Sequence, residues 1–254
     1  MFKVAPVVAF AALSGTLLFG CGGDTGSPTS SVGSMSALNQ SQSPLSPPEF
    51  PSDPAAFVAG ITNSYLGFAP GRVFRYEADT DEGHETIVVE VLSETKTILG
   101  VATTVVHDQV FLGGNLIEDT YDWYAQDQDG NVWYFGEDSR EILGGEVVST
   151  EGSWEAGVNS ATPGIVMLAE PRIGMKYRQE FAEDVAEDAA QVLSLSKTVT
   201  VPFGRFQGAL QTMEYSPLSP GAREFKYYAP GVGMVLEVSP SAGRARVELV
   251  DVQG

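Results

Sequence analysis

Thirty-three carboxylates, two histidines and one cysteine are the reactive groups in this 254-residue chain. Only 14 lysines and arginines oppose the acids, so the formal charge is −19. Such a surface repels nucleic-acid phosphates, and DNA or RNA binding is excluded as a role. The acids are unevenly placed: residues 77–155 hold 19 of them against Lys96 and Arg140, a net of −17. A concentrated negative region attracts cations. Calcium wants six to eight oxygen ligands, roughly, and is the cofactor this composition suggests. Four clusters could supply them: Asp79, Asp81, Glu82 and Glu85; Glu118, Asp119 and Asp122; Asp127 and Asp129; and Glu183, Asp184, Glu187 and Asp188, of which the first and last are the metal candidates. None has the spacing of a calcium loop, and the alternative is a solvated acidic surface that keeps the domain soluble. His84 beside Glu85 and His107 beside Asp108 could act as bases, but no nucleophile accompanies them by motif. Ser194-x-x-Lys197 lies in a strand-like run without its companion motifs. Paired carboxylates could hydrolyse a glycoside, though spacing selects no pair. The balance favours non-catalytic binding.

Aromatic side chains are the second resource. Tyr121 to Glu137 reads YDWYAQDQDGNVWYFGE. Asp127 and Gly130 stand first and fourth in a type I turn, so the segment folds as a hairpin. With Asp127 opposite Asn131, Ala125 faces Trp133, Tyr124 faces Tyr134 and Trp123 faces Phe135. Tyr121, Trp123, Trp133 and Phe135 share one face, expected to be core. Asp122, Tyr124, Gln126 and Tyr134 share the other. That face, with Glu137, Trp154 and Glu155, is the expected surface for a small-molecule, sugar or lipid ligand.

The elements that must position these residues are strands. Thr86–Leu92, Val101–Leu112, Val192–Val201, Ala209–Tyr215, Arg223–Tyr228, Val232–Val238 and Arg244–Val252 are rich in β-branched and aromatic residues. Glycine or proline separates them at about ten-residue intervals, and Ala229-Pro230-Gly231-Val232 suits a type II turn. The fold class is all-β, mainly an antiparallel meander forming a curved sheet, sandwich or barrel. One or two short helices are allowed for, at Pro54 to Tyr65 and at Phe181 to Leu193. The second could equally be an acidic loop.

Three segments follow. Lys3 precedes an apolar run from Val4 to Phe19, too short for a comfortable membrane-spanning helix, and Gly20-Cys21 closes it. This resembles the lipobox of bacterial lipoproteins, in which the cysteine is acylated and becomes the mature N-terminus. Residues 1–21 are therefore a lipoprotein signal peptide. The membrane becomes a partner through Cys21, and the location is the bacterial cell envelope, on its periplasmic or extracellular side. Residues 22–56 contain nine Ser, six Pro and four Gly and read as a flexible tether. Residues 57–254 form the antiparallel β domain.

The strings DWYAQDQDGNVWYFGE, GSWEAGVNSATPGIVM, VTVPFGRF and KYYAPGVGMVLE resemble a group of exported bacterial lipoproteins. That resemblance implies an all-β exported domain and names no activity. VPFGRF followed by YYAPGVGMV is also similar to β-rich periplasmic proteins of the LolA/LolB type, which implies a curved sheet around an apolar cavity and a lipid-carrier role. A carrier would leave the face of Ile87, Val89, Val91, Val247 and Leu249 lining an unfilled pocket. A binding module would pack it. A hydrolase would bring two carboxylates together in an open cleft.

Overall fold

The computed structural model describes residues 45–240 and 245–254. Cys21 and the leader lie outside the described residues. Sixteen strands follow in order: β1 (Phe57–Val58), β2 (Val73–Thr80), β3 (Gly83–Ile98), β4 (Val101–Leu112), β5 (Asn115–Asp127), β6 (Val132–Leu143), β7 (Glu146–Ser149), β8 (Trp154–Glu155), β9 (Thr162–Met167), β10 (Lys176–Arg178), β11 (Glu180–Phe181), β12 (Ala189–Val201), β13 (Gly204–Tyr215), β14 (Glu224–Ala229), β15 (Gly233–Ser239) and β16 (Ala245–Gln253). All pair antiparallel, in the spatial order β10-β12-β13-β14-β15-β16-β2-β3-β4-β5-β6-β9-β11. The sheet is strongly curved and nearly closed. Its two edges, β10 and β11, are one stretch of chain interrupted at Gln179. Three residue pairs join β10 to β12 and two join β11 to β9, so residues 176–181 form the seam of the barrel.

The expected turns form. Val232 N–H donates to the Ala229 carbonyl at 3.0 Å, with Gly231 at φ 78°. In the β5–β6 hairpin, Gly130 N–H donates to the Asp127 carbonyl at 3.0 Å. Ala125 faces Trp133 and Tyr124 faces Tyr134, but a bulge then breaks the register and Asp122 faces Glu137. Trp123 therefore does not pair with Phe135. Gly136 absorbs the irregularity at φ 122°. A Cβ there would lie 2.2 Å from the Trp154 carbonyl oxygen, so only glycine lets β8 approach this closely.

Neither expected helix forms as an α-helix. Pro54–Ala56 makes one 3-10 turn capped by Asp53, and β1 follows at once. Between β11 and β12 the chain makes a tight turn in which Ala182 bridges Ala186, the acidic-loop alternative. Four acids in six positions offer no apolar stripe for a helix to bury.

Strand alternation divides the molecule into inside and outside. The inner face carries Ile87, Val89, Val91, Val247 and Leu249, all at most 3% exposed, packed in one core with Phe74 and Tyr76. The outer face of β5–β6 carries Trp123, Trp133 and Phe135, and two appendages cover it. Phe50 and Phe57 set their rings 5.5–6.4 Å from those of Trp133 and Phe135. Such pairs contribute about 0.5–1.5 kcal/mol each beyond burial. Arg178 Nε donates to the Leu45 carbonyl at 3.0 Å, and Gln128 Nε2 to that of Ala55 at 2.7 Å. Residues 45–56, the last part of the stretch read as a tether, are thus folded against the barrel. The second cover is the far half of the β3–β4 hairpin, whose Lys96 ammonium lies 3.2 Å from the Trp123 ring centroid and 2.7 Å from Glu155.

Candidate functional site

The expected ligand face of β5–β6 turns into the barrel. Tyr124 and Tyr134 stack there with centroids 4.9 Å apart, and Tyr134 donates a 2.6 Å hydrogen bond to Asp122 Oδ1. Trp154 meets Tyr134 edge-on and donates to Glu180 Oε2 at 3.1 Å. Asp122, Tyr124, Tyr134, Glu137 and Trp154 are all buried, and the register brings Asp122 directly opposite Glu137. The remaining two expected site residues do structural work. Gln126 Oε1 accepts from the backbone of Thr62 and Asn63 and so anchors the segment before β2. Glu155 pairs with Lys96 on the outer side.

Further acids face the same interior. Asp108 on β4 points inward opposite Val89 and Thr120. Glu180, Glu214 and Glu237 are buried too, and Glu118 is half-buried on β5. Asp108, Asp122, Glu137 and Glu180 are each at most 2% exposed. Six of their eight carboxylate oxygens receive no hydrogen bond: both of Asp108, both of Glu137, Oδ2 of Asp122 and Oε1 of Glu180. A buried acceptor without a donor costs about 1–3 kcal/mol. Among the described residues, the Lys226 ammonium answers this charge. Lys226 Nζ lies 2.9 Å from Glu214 and 3.8–3.9 Å from Glu237 and Glu224, and these acids hold the Lys226 pKa above the usual lysine range despite its burial.

Desolvation dominates the interior acids. It pushes Asp122 up to about 7, against the opposing hydrogen bonds from Tyr134 and Tyr124. Burial likewise lifts Glu118 to about 7, opposed by Thr120. Asp108, Glu137 and Glu180 are pushed well above the carboxylate range, first by burial and then by neighbouring charge, that of Asp122 and Glu118 on Asp108, of Asp122 and Glu180 on Glu137, and of Asp188 on Glu180. A cluster of this kind holds protons and accepts positive charge. Because its acids are sealed inside, it presents no open carboxylate cleft to a polysaccharide.

The first and last of the acidic clusters lie elsewhere. Asp79, Asp81 and Glu82 sit at the exposed β2–β3 turn, where Asp79 Oδ1 meets His84 Nδ1 at 2.9 Å, while Glu85 turns inward to accept from Thr80. Glu183 and Asp184 are exposed, Glu187 Oε1 accepts from the Asp184 backbone, and Asp188 is buried. Among the described residues, no three His, Cys, Asp or Glu side chains stand at metal-ligand spacing. Alternation also separates His107 from Asp108. His107 points outward, 2.7 Å from Asp119 and stacked on Tyr121 at 4.2 Å. A surface hollow of about 250 Å³ beside His84, Arg246 and Glu248 lies outside the barrel.

Glu214, Lys226 and Glu237 are not singled out by the sequence, and Asp108 only as a neighbour of His107, yet a signal is there. In Val106-x-Asp108-x-Val110 and Val235-x-Glu237 an acid occupies the phase of the buried face, where alternation asks for an apolar residue.

No family model matches the chain, and no curated protein matches it significantly. Among solved structures, it is similar to a Bacteroides fragilis protein described as exported and of YmcC-like fold. The identity is 13%, over 76% of this chain and 100% of that one, with a TM-score of 0.44. It is also similar to a Parabacteroides distasonis protein described as a lipoprotein, 11% identical over 75% of this chain and 99% of the other, with a TM-score of 0.42.

Proposed function

We propose that this chain is a lipid-anchored cell-envelope protein whose barrel binds a positively charged ligand in its acidic interior, without catalysing a reaction. The anchor rests on Gly20-Cys21 after the apolar leader. The binding role rests on one observation: Asp108 and Glu137 are buried with all four carboxylate oxygens lacking a donor. An unpaired buried acceptor is a cost that natural folds keep where a ligand supplies the missing donor. The ligand class this supports is a small molecule carrying ammonium groups, since the carboxylates do not converge as a metal set. Entry would be through the Gln179 seam, held by three residue pairs on one side and two on the other.

The lipid-carrier reading is weaker, because the face that would line an apolar cavity is packed. Native mass spectrometry of the mature chain, purified from the envelope in detergent without chelator, tests the proposal. A stoichiometric amine-sized adduct is expected. A calcium-sized adduct lost on chelation would change the ligand class to a metal ion. A lipid-sized adduct or a bare mass would overturn cation binding.

A further inference from the structure

The seam and the acid cluster meet at one residue. Glu180 is in β11, half of the stretch that closes the barrel, and its Oε1 has no donor. Gln179 N–H donates to the Asp188 carbonyl at 2.8 Å, so Asp188 abuts the seam from the β12 side. Glu137 on β6 lies opposite Trp154, whose indole donates to Glu180 Oε2 at 3.1 Å. Asp122 on β5 lies directly opposite Glu137, and Asp108 on β4, opposite Thr120, is buried on the same inner face. Glu118, Asp188 and Lys226 are the other charged groups that act on these carboxyls, and Asp108 acts in turn on Tyr76. Tyr124 and Tyr134 complete the ring around Asp122. The single ammonium in this set is 2.9 Å from Glu214, which engages it directly.

With every member ionised, a chain of like charges would run from Asp108 to the seam in a medium that screens poorly. With the carboxyls protonated, that repulsion vanishes without any space being needed. We infer that the interior is a proton-operated latch: protons held on the buried carboxyls of Asp108, Asp122, Glu137 and Glu180 keep the Gln179 seam shut, and their loss drives it open. The latch stands on the ligand-free barrel and is independent of which ligand, if any, binds.

The sign follows from linkage. Acids that hold protons more tightly folded than unfolded stabilise the fold fully below the unfolded carboxylate range, near pH 4, and lose that contribution as pH rises through the folded value. For Asp122 and Glu118 that window closes near 7. The seam should therefore be tight at pH 5 and loose at pH 8.

Hydrogen exchange of the full chain in detergent, corrected for the intrinsic pH dependence of exchange, tests this with no cation added. Peptides spanning 176–190 should exchange on the order of tenfold faster at pH 8 than at pH 5.5, a shift of one decade in the opening equilibrium. Glu137→Gln combined with Glu180→Gln should remove that difference. Unchanged seam protection in the wild type would overturn the latch, and so would an equal rise in the double variant. If the double variant does not fold, infrared spectroscopy of the wild type decides. A neutral-carboxyl C=O band present at pH 5.5 and diminished at pH 8 supports the latch, and its absence at pH 5.5, or an undiminished band at pH 8, overturns it. Since no ligand is present, failure here leaves the cation-adduct result to stand or fall separately.

Discussion

The two faces of the β5–β6 hairpin are both buried, but by opposite means. Outside, Trp123, Trp133 and Phe135 are sealed by Phe50, Phe57 and Lys96, and the one polar group of Trp133 finds Asp127 at 2.8 Å. Inside, Asp122 and Glu137 lie against further acids with most of their oxygens unanswered. The outer face is built as a core is built, with apolar area removed from water and polar atoms paired. The inner face breaks that rule at several positions at once. Local rules are broken most often where function or strain is stored. On the proposed reading, stability and function occupy opposite sides of one hairpin.

Substitutions on the two faces should differ in sign. Trp133→Ala removes a buried ring and the Asp127 partner and should cost about 3–5 kcal/mol in urea unfolding. Phe50→Ala strips part of the cover from the same face. Phe50 is half-buried, so the expected loss is smaller, about 2 kcal/mol. On the inner face, Glu137→Gln should stabilise the fold at pH 8 by roughly 1–3 kcal/mol, because a neutral amide replaces a buried charge without donors. At pH 5 the same variant should match the wild type. A loss at pH 8 equal to that of Phe50→Ala would erase the distinction between the faces. Lys96→Met tests the outer cover at its weakest point. With the cation–π contact and a half-exposed ion pair gone but the stem kept, about 0.5–1 kcal/mol should be lost. Differential scanning fluorimetry at two pH values would rank all four.

Much of this was legible in the residues. Strand runs such as Val101–Leu112 and the turns at Asp127 and Pro230 carry local chemistry that tertiary context only confirms. The aromatic alternation of Tyr121 to Glu137 divides correctly into two faces as far as Tyr124 and Tyr134. The bulge at Gly136 was not legible, because its cause is the approach of Trp154 from a distant strand. Which face turns inward was not legible either. Alternation gives two faces, and only closure of the sheet makes one of them the inside. Closure through Gln179 likewise depends on β9 and β12, each of which pairs with a different half of one short stretch. The folding of residues 45–56 onto the barrel hinges on Phe50, a single aromatic in a Ser/Pro/Gly-rich composition that reads as spacer.

The central claim is that the folded barrel holds protons its unfolded chain would release. Counting protons liberated into weakly buffered solution when the protein is unfolded by urea at pH 6.5 tests it directly. Asp108, Asp122, Glu118, Glu137 and Glu180 all have folded values raised by burial, so about two or more protons per chain should appear. His84, whose pKa is raised by its hydrogen bond with Asp79, adds less than about one, and a His84→Asn background removes that share. No proton release in that background, or net uptake, would contradict the account.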